Sequence, residues 1–491
     1  MCARKSCVKN SPFQMTALIL FYLTFSLFWN CSNAPAQTPG YSAKENQRGG
    51  FSEAISALGR DPVSQSNEGR GTAIKVPLTL KQTVNLALRQ NPRRIIARIL
   101  VDESLKDKDI ARSALLPQAE VAARQAIIRF NAQSIIDLPQ IGLGNKPLRV
   151  GPFQSITGGA VFSQQLLNFG LIRRFQVSRE GVKAVKYDES SVQESVTTTV
   201  VTQYLAALES DANTKAVEAR VKLAERLYQQ ATRLEKTGVG TTIDALRARV
   251  ELQNEKQQLL DAQTAQNAAI YALAELLDLP RNEEPQPIDT MQFYKIPTFD
   301  QQHLIDQALA NRPEMKTLLS RERKAELARK AASEQRLPTL TFSGFYEYQA
   351  RRLSTGEPGY TYAFTLNVPL WTSGRIHAEM ARASLESKRL EEEHQNLEDA
   401  IERQVKTALD QLQAARNAVD VANLGLKLAQ DVVARAERRF EAGVTTNIEV
   451  ITAQDDLARA DDNQIKALYR FNQARADLAR AEGDAEAVYG R

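Results

Sequence analysis

Two long stretches of the chain contain no proline and almost no glycine. Residues 171–237 contain only Gly181, and residues 375–442 contain only Gly425. At 1.5 Å per residue, each stretch predicts a helical rod of about 100 Å. The second stretch has a narrow apolar stripe with spacings of three, four and seven, and charged residues fill its other faces. The stripe consists of Leu390, Leu397, Ile401, Val405, Leu409, Leu412, Val419, Ala422 and Leu426. An ordinary long coiled coil would have the same pattern.

Two shorter segments alternate between apolar and polar residues with a period of two. The apolar positions are Leu340, Phe342, Tyr346 and Tyr348 in the first segment and Tyr360, Tyr362, Phe364, Leu366 and Val368 in the second. Alternation over about ten residues is typical of membrane barrel strands with one face toward lipid. The four tyrosines lie beside the connecting loop at 349–359, so we expect them at a membrane interface. A soluble hairpin remains an alternative.

The chain contains one unit twice, which must be recognised before any fold is inferred. Asn91-Pro92 and Arg312-Pro313 stand at a spacing of 221, and so do Leu116-Pro117 and Leu337-Pro338. Further on, the segments from Gly238 to Asp244 and from Gly443 to Glu449 stand at a spacing of 205. The spacing shortens because residues 131–153, rich in Gly, Pro and Asn, form a longer connection in the first half.

Each half therefore predicts a helix, two strands, a very long helix, a tight turn and a returning helix. The strands of the first half, at about 118–130 and 154–169, alternate less cleanly and are placed by analogy with the second half. The predicted fold class is mainly α with a membrane β-barrel portion and four β-strands per chain.

The N-terminus has the pattern of a secretory signal peptide. Arg4, Lys5 and Lys9 precede an apolar run at 17–29, and Ala34-Pro35-Ala36 supplies a cleavage site before Gln37. The run is shorter than the roughly 20 residues of a transmembrane helix. A lipoprotein would need a small residue before Cys31, where Asn30 stands. We therefore expect a signal peptide at 1–36.

The remaining chain divides by composition and repeat. We predict a flexible, polar extension at 37–75, the first repeat at 76–280, a linker at 281–300, the second repeat at 301–484 and a C-terminal tail at 485–491.

Composition excludes several classes of function. All three cysteines, Cys2, Cys7 and Cys31, lie in the predicted signal peptide, so the mature chain has neither disulfides nor thiolate metal ligands. The same segment carries three of the basic residues that give the formal charge of +5, and it carries no acidic residue. The mature chain is thus nearly neutral, and we expect no nucleic-acid partner.

Catalytic and cofactor motifs are also missing from the sequence. There is no phosphate-binding glycine loop and no dinucleotide motif. His303, His377 and His394 do not form a ligand pair at helical spacing. We therefore expect no cofactor, no metal and no enzymatic activity.

The strands require more than one copy of the chain. Four strands cannot close a barrel, and an open sheet edge in lipid leaves backbone groups unpaired at several kcal/mol each. Bacterial barrels have an even number of strands and begin at eight. Two copies would give eight strands and three would give twelve, and physical reasoning alone does not choose between them.

The repeated unit resembles the TolC-like outer-membrane efflux proteins over almost the whole mature chain, from about Val76 to Gly483. The most specific matches are the turns Gly238-Val239-Gly240-Thr241-Thr242-Ile243-Asp244 and Gly443-Val444-Thr445-Thr446-Asn447-Ile448-Glu449. The resemblance implies a homotrimer in the outer membrane, with a twelve-stranded barrel continuous with a long periplasmic α-helical barrel. It also implies a passive exit duct that a periplasmic adaptor connects to an inner-membrane pump.

The resemblance further implies that adaptors contact the two helix-to-helix turns. The candidate docking residues are Gly238, Val239, Gly240, Thr241, Gly443, Val444 and Thr445. The glycines also permit the backbone conformations that a tight turn needs, so chain reversal alone explains their presence equally well.

Relatives narrow the tunnel beyond the second turn with rings of acidic residues, which select for cations. Glu449 keeps the charge of the first ring, whereas Thr452 replaces the usual aspartate of the second. Asp244 and Arg247 occupy the equivalent places in the first repeat. Phe440 and Thr445 stand where some relatives have a locking tyrosine and arginine. We expect one acidic ring, from Glu449; the alternative is that Glu449 is an ordinary solvated helix residue.

A periplasmic coiled-coil adaptor or tether without a pore is the competing interpretation of the whole chain. It would show one helical hairpin with small β-rich domains instead of a repeated unit with membrane-like strands. The sequence does not specify the exported substrate.

Overall fold

The computed structural model describes residues 74–131, 149–238, 240–294, 299–351, 356–442 and 444–490. The helices are α1 (Leu80–Gln90), α2 (Pro92–Ser113), α3 (Phe169–Lys236), α4 (Thr242–Leu276), α5 (Gln301–Asn311), α6 (Pro313–Glu334), α7 (Arg375–Glu441), α8 (Asn447–Glu482) and α9 (Ala485–Tyr489). The strands are β1 (Ile74–Leu78), β2 (Gln118–Asn131), β3 (Arg149–Leu167), β4 (Glu283–Pro287), β5 (Thr339–Ala350) and β6 (Glu357–Asn367).

The two predicted rods are the helices α3 and α7, of 68 and 67 residues. Each begins and ends within two residues of the predicted bounds, because uninterrupted helix formers fill both stretches. Asn168 caps α3 by accepting a hydrogen bond from the Leu171 N–H at 3.1 Å. Each rod packs against a returning helix, α4 or α8, to form a hairpin. No membrane-spanning segment is found among the helices in the part of the chain that the structure describes.

The two halves bury equivalent side chains at the constant spacing of 205 residues. The pairs in the long helices are Val196 and Ile401, Val200 and Val405, Thr214 and Val419, and Ala231 and Ala436. The pairs in the returning helices are Ala245 and Val450, Ala248 and Ala453, Ala262 and Ala467, and Leu273 and Leu478. Because both hairpins use the same positions for packing, a residue in one repeat has a defined counterpart in the other.

Strands β2, β3, β5 and β6 form one antiparallel sheet, in the order β2-β3-β5-β6. Strand β3 joins the two halves, since its residues 156–167 pair with β5 of the second repeat, for example Ala160 with Tyr346. The first-half strands, which the sequence placed only by analogy, therefore exist; β3 begins at residue 149 instead of 154 and ends at 167 instead of 169.

A small second sheet was not predicted. Strand β1 pairs in parallel with β4, as in Val76 with Pro285. Consequently the predicted linker 281–300 contains a strand, and residues 74 and 75 of the predicted flexible extension are ordered in β1. Both strands are only five residues long and contain proline, so the sequence of neither segment predicts a strand. They are stabilised by this long-range pairing and by the burial of Leu78 in an apolar cluster with residues of α3, including Tyr204, whose hydroxyl donates to the Leu78 carbonyl at 2.9 Å.

The predicted C-terminal tail also differs from the expectation, because residues 485–489 form the helix α9. The carboxylate of Glu194 on α3 accepts hydrogen bonds from the Ala485 N–H at 2.8 Å and the Glu486 N–H at 3.3 Å. A negative charge at a helix N-terminus is favourable. This contact joins residues almost three hundred positions apart, which a local pattern cannot reveal.

Each half also begins with one more short helix than predicted, α1 or α5, which ends just before Asn91-Pro92 or Arg312-Pro313.

Candidate functional site: the membrane sheet, the helical tips and the seam between repeats

One face of the four-stranded sheet carries most of the large apolar side chains of its strands and is interrupted in β2 and β3 by Gln125, Gln154 and Gln164. Strand register places Phe342 opposite Phe364 and Leu340 opposite Leu366 on this face. Its members include Val121 and Ile127 of β2, Ile156 and Phe162 of β3, Phe342 and Tyr346 of β5, and Tyr360, Tyr362, Phe364 and Leu366 of β6. The opposite face is mainly polar but includes Val161 and Phe345; its polar members are Glu120, Arg124, Thr157, Ser163, Thr341, Ser343, Glu347, Thr361 and Thr365. This division is the one expected between lipid and an aqueous lumen.

The four predicted interface tyrosines lie on this apolar face, at the end of the sheet where β5 connects to β6. Tyr346 and Tyr360 are directly opposed. The rings of Tyr360 and Tyr362 lie 5.8 Å apart, and the Gly356 N–H donates a hydrogen bond of 3.0 Å to the Tyr348 hydroxyl. The structure thus brings all four together in an aromatic band at one edge of the apolar face.

The first helical tip connects α3 to α4. Gly238 has φ +75°, the left-handed conformation that glycine adopts without strain. The Gly240 N–H donates to the Leu234 carbonyl at 2.9 Å, and a Cβ at Gly240 would lie 2.9 Å from the Leu234 Cβ. Thr241 is the N-cap of α4, with its hydroxyl 3.2 Å from the Asp244 N–H. Val239 lies outside the described residues. Chain reversal therefore explains Gly238 and Gly240 by itself.

The second tip, which connects α7 to α8, makes different contacts among the described residues. The Val444 N–H donates to the Arg439 carbonyl at 3.0 Å, and its side chain is exposed. Thr446, the counterpart of Thr241, makes no side-chain cap. Instead the neighbouring Thr445 donates its hydroxyl hydrogen to the Glu449 carboxylate. Gly443 lies outside the described residues.

The four candidate constriction residues make different contacts. Glu449 accepts from Thr445, and its carboxylate lies 3.6 Å from Nε of Arg439. The Thr452 hydroxyl donates to the Ile448 carbonyl at 2.9 Å, so it binds its own helix. Asp244 accepts from the Thr241 hydroxyl at 2.6 Å, and Arg247 is exposed. The acidic candidate Glu449 thus has a cationic partner on the facing helix.

Sequence reasoning missed three residues at the tips. Ile243 and Ile448 are equivalent apolar residues directly after the turns, and both are exposed. They served only as landmarks of the repeat, although an apolar side chain at the start of a helix was a usable signal. Arg439, the partner of Glu449, could not be found because the rotation of α7 decides which side chains face α8.

A polar cluster lies in the seam where α3, α4 and α8 meet, farther from the tips; Arg220 and Glu255 are buried in it, and the Asp462 side chain is 37% exposed. Arg220 of α3 lies within 4 Å of Glu255 of α4 and of Asp462 of α8. Burial raises the pKa of Glu255, with Arg220 acting against this shift. Burial also raises the pKa values of Glu251 and Asp461 beside it. Among the described residues, no group of three or more His, Cys, Asp and Glu has an arrangement that could hold a metal ion.

The four-stranded sheet and the paired helical hairpins together have the fold of a solved outer-membrane channel. The crystal structure of the Campylobacter jejuni CmeC outer membrane channel has this fold, with a TM-score of 0.71 at 19% identity over 83% of this chain and 86% of that chain. Two relatives are similar in sequence. The alkaline protease secretion protein AprF of Pseudomonas aeruginosa is 23% identical over 417 residues, which are 82% of this chain and 83% of AprF. Outer membrane protein TolC of Vibrio cholerae is 21% identical over 418 residues, 82% of this chain and 90% of TolC.

The chain belongs to the outer membrane efflux protein family, whose model matches residues 83–278 and 304–484. The predictions of this family, of the fold class, of an outer-membrane location and of an efflux channel are confirmed. The family and its relatives favour the channel over the periplasmic adaptor or tether.

Proposed function

We propose that three copies of this chain form a passive exit duct, with a twelve-stranded barrel in the outer membrane and a helical tunnel in the periplasm. The single observation that carries the proposal is the four-stranded sheet with an apolar face and two outer strands, β2 and β6, that have no further neighbour among the described residues. Unpaired strand edges are unstable in lipid, so copies of the sheet must join edge to edge.

Three copies are favoured over two by the helical part. The two-copy ring would hold four hairpins and the three-copy ring six. Long hairpins packed side by side enclose a wider tunnel as their number rises, and an exported molecule needs an open lumen. The apolar outer face would contact lipid, while Glu120, Arg124 and Glu347 would line the water-filled lumen.

The helical tips would receive a periplasmic adaptor protein, which would join the duct to an inner-membrane pump. Exposed apolar side chains at both tips, Val444, Ile243 and Ile448, support this assignment. The first docking turn would be shaped by Gly238, Gly240 and Thr241, with Val239 between the two glycines in sequence. The second would be shaped by Thr445, with Gly443 two residues before it in sequence. The duct itself would perform no catalytic step and need no cofactor, because the pump would supply the energy.

The constriction would lie at the same end of the tunnel. Glu449 would contribute one carboxylate per chain, attenuated by its contact with Arg439. Thr452 would add no charge, and Asp244 would serve mainly as the partner of Thr241. Arg247, one helical turn beyond Asp244, would place a positive charge near the first-repeat tip.

The test is the native mass of the mature protein after detergent extraction from outer membranes, followed by conductance in planar bilayers. We expect a particle of three chains that forms a water-filled pore. A particle of two chains would contradict the twelve-stranded barrel. Release by salt alone, without detergent, would contradict the membrane assignment and favour the coiled-coil adaptor.

A further inference from the structure

A groove lined by three arginines lies in the second repeat, where the junction between α5 and α6 meets α7 and α8. Its volume is about 460 Å³. Each of the three places contributes one arginine: Arg312 from the junction, Arg403 from α7 and Arg480 from α8. Among the described residues that line the groove, only Asp477 is acidic. The groove therefore gathers more positive than negative charge.

The guanidinium group of Arg312 is held in a fixed position. Its side chain is 8% exposed. Nη1 donates a hydrogen bond of 2.6 Å to Gln404 of α7, and Nε lies 3.4 Å from the carboxylate of Glu314. The end of α8 packs directly on the junction, since a Cβ at Gly483 would lie 3.0 Å from the Arg312 Cα. This donor group is thus arranged before a ligand arrives, which lowers the cost of binding.

The other two guanidinium groups have no partner of their own. Arg403 and Arg480 are exposed, and neither makes an ion pair or a side-chain hydrogen bond within the described part of the chain. Burial raises the pKa of Asp477, with Arg480 acting against this shift, so burial disfavours the one negative charge in the lining. An anion in the groove would be attracted by three cations that now repel one another.

The first repeat shows that the fold does not require these arginines. Their counterparts, at the spacings of 221 and 205 residues, are Asn91, Thr198 and Glu275. In the first repeat, the Asn91 side chain donates a hydrogen bond of 2.8 Å to the Leu276 carbonyl and so joins the junction to the returning helix α4. Among the described residues, no hydrogen bond joins Arg312 to the returning helix α8. The second repeat therefore lacks a link that the first makes by itself.

We propose that this groove binds a phosphate group, either as free inorganic phosphate or as part of a small soluble phosphate ester. A phosphate dianion has three acceptor oxygens, so each guanidinium group can pair with one of them. A carboxylate has two oxygens and a single charge. Arginine also matches the geometry of phosphate better than lysine does. The bound group would join Arg312 to Arg480 and supply the missing link to α8.

Position and size restrict the source of the phosphate. Arg403 stands 28 residues after Arg375, where α7 begins, and is therefore about 42 Å along the helix from its membrane end. Lipid headgroups of the outer membrane are out of reach at this distance. The volume of the groove falls within the range of small-molecule sites, about 300–1,000 Å³. All lining residues belong to one chain, so the inference does not depend on how many copies form the duct.

Calorimetric titration of the detergent-solubilised mature protein tests this inference with three probes: inorganic phosphate, glycerol 3-phosphate and succinate. The variant Arg403→Thr/Arg480→Glu gives both positions the residues of the first repeat. It should weaken phosphate binding by about a hundredfold, about tenfold for each guanidinium group removed, because charge-assisted hydrogen bonds are lost. Arg416→Thr is the matched control, since this exposed arginine of α7 does not line the groove and its loss should leave binding unchanged.

The thermal midpoint provides a second measurement. Phosphate should raise the midpoint of the parent and of Arg416→Thr but not that of the double variant. If the double variant fails to fold, Arg403→Thr alone should still weaken binding by about tenfold.

The probes distinguish the two sources of phosphate. Tighter binding of glycerol 3-phosphate than of inorganic phosphate would support an ester, and equal or weaker binding would support the free ion. The inference would be overturned if the parent bound neither phosphate probe, if succinate bound as tightly as they do, or if the arginine variants bound like the parent. The native mass is measured separately, so none of these results decides the proposed trimer.

Discussion

Arg220 on α3 and Asp462 on α8 form an ion pair between the two repeats, with 3.7 Å between Nη1 and Oδ1. The same guanidinium reaches Glu255 of α4, with 3.5 Å between Nε and Oε2. However, Arg220 Nε, Glu255 Oε2 and Asp462 Oδ1 are buried without a hydrogen bond to any described residue. The charges therefore compensate one another at a distance, and the cluster gains little from directed hydrogen bonds.

We expect Arg220→Met to destabilise the helical part by about 3 kcal/mol, because it leaves the buried carboxylate of Glu255 without its cation. Asp462 contributes less, because its side chain is 37% exposed. Methionine keeps most of the side-chain volume, so lost packing contributes little. The measurement is the thermal midpoint of the detergent-solubilised protein near neutral pH.

The control for this prediction is Arg220→Met combined with Glu255→Gln, which also removes the carboxylate charge of Glu255 that the single variant leaves without a cation. The double variant should recover part of the lost stability. A single variant as stable as the parent would show that Arg220 is not the counterion of the cluster.

The same cluster predicts a dependence on pH. Burial raises the pKa of Glu255, Glu251 and Asp461, so the folded state holds these protons more tightly than the unfolded state does. Stability should therefore be greatest at low pH, decrease as the pH rises from the ordinary carboxyl range through the raised pKa values, and level off above them. Asp455 and Asp462 on α8 add to the negative charge that faces Glu255, and Arg220 opposes it.

Glu255→Gln tests this sign, since glutamine imitates the protonated carboxyl. The thermal midpoint is compared at about pH 8 and at about pH 4.5, near the ordinary pKa of a glutamate carboxyl group. The variant should be more stable than the parent at the higher pH and less sensitive to the change. Glu218→Gln, at an exposed position of α3, is the matched control. Equal pH sensitivity in Glu255→Gln and the parent would contradict the prediction.

The parts of the fold that the sequence predicted are those with a local periodic signal. Phe342 and Phe364 stand in strict alternation, so their strands were recognised from the pattern alone. In β2 and β3 the apolar face is interrupted by polar residues such as Gln125 and Gln164, and only the repeat located these strands. Strand β1 and helix α9 depend on partners two hundred or more residues away, which no local window contains.

The candidate site was predictable in position but not in detail. The turns were located correctly, because glycines between two long helical patterns can only mark chain reversal. The partner of Glu449 and the buried position of Arg220 depend on how each helix is rotated about its axis. A helix with charges on most faces leaves that rotation undetermined in sequence.

The contact of Glu449 with Arg439 gives opposite expectations for two variants of the proposed constriction. Glu449→Gln should raise the resting conductance or weaken cation selectivity, because the ring loses its carboxylates. Arg439→Gln should strengthen cation selectivity, because it frees the same carboxylate from a cation 3.6 Å away. For both variants, the single-channel conductance is measured together with the reversal potential in a salt gradient, which reports cation selectivity.

A pore unchanged by Glu449→Gln would reject the acidic ring and leave Glu449 as a helix residue that binds Thr445 and Arg439. The matched control is Glu441→Gln, an exposed acidic residue at the end of α7. It should leave selectivity unchanged if the effect is specific to the ring.

The division of the sheet into a lipid face and a lumen face can be tested with two neighbouring residues of β6. Phe364 lies opposite Phe342 on the apolar face, with 4.9 Å between the ring centroids, whereas Thr365 lies opposite Thr341 on the polar face. Phe364→Lys should cost about 2–4 kcal/mol if the position is near the middle of the bilayer. Thr365→Lys should be tolerated, because its ammonium group would remain in water. The measurement is the amount of assembled protein in the outer-membrane fraction that requires detergent for release. Equal assembly of the two variants would mean that the apolar face does not contact lipid.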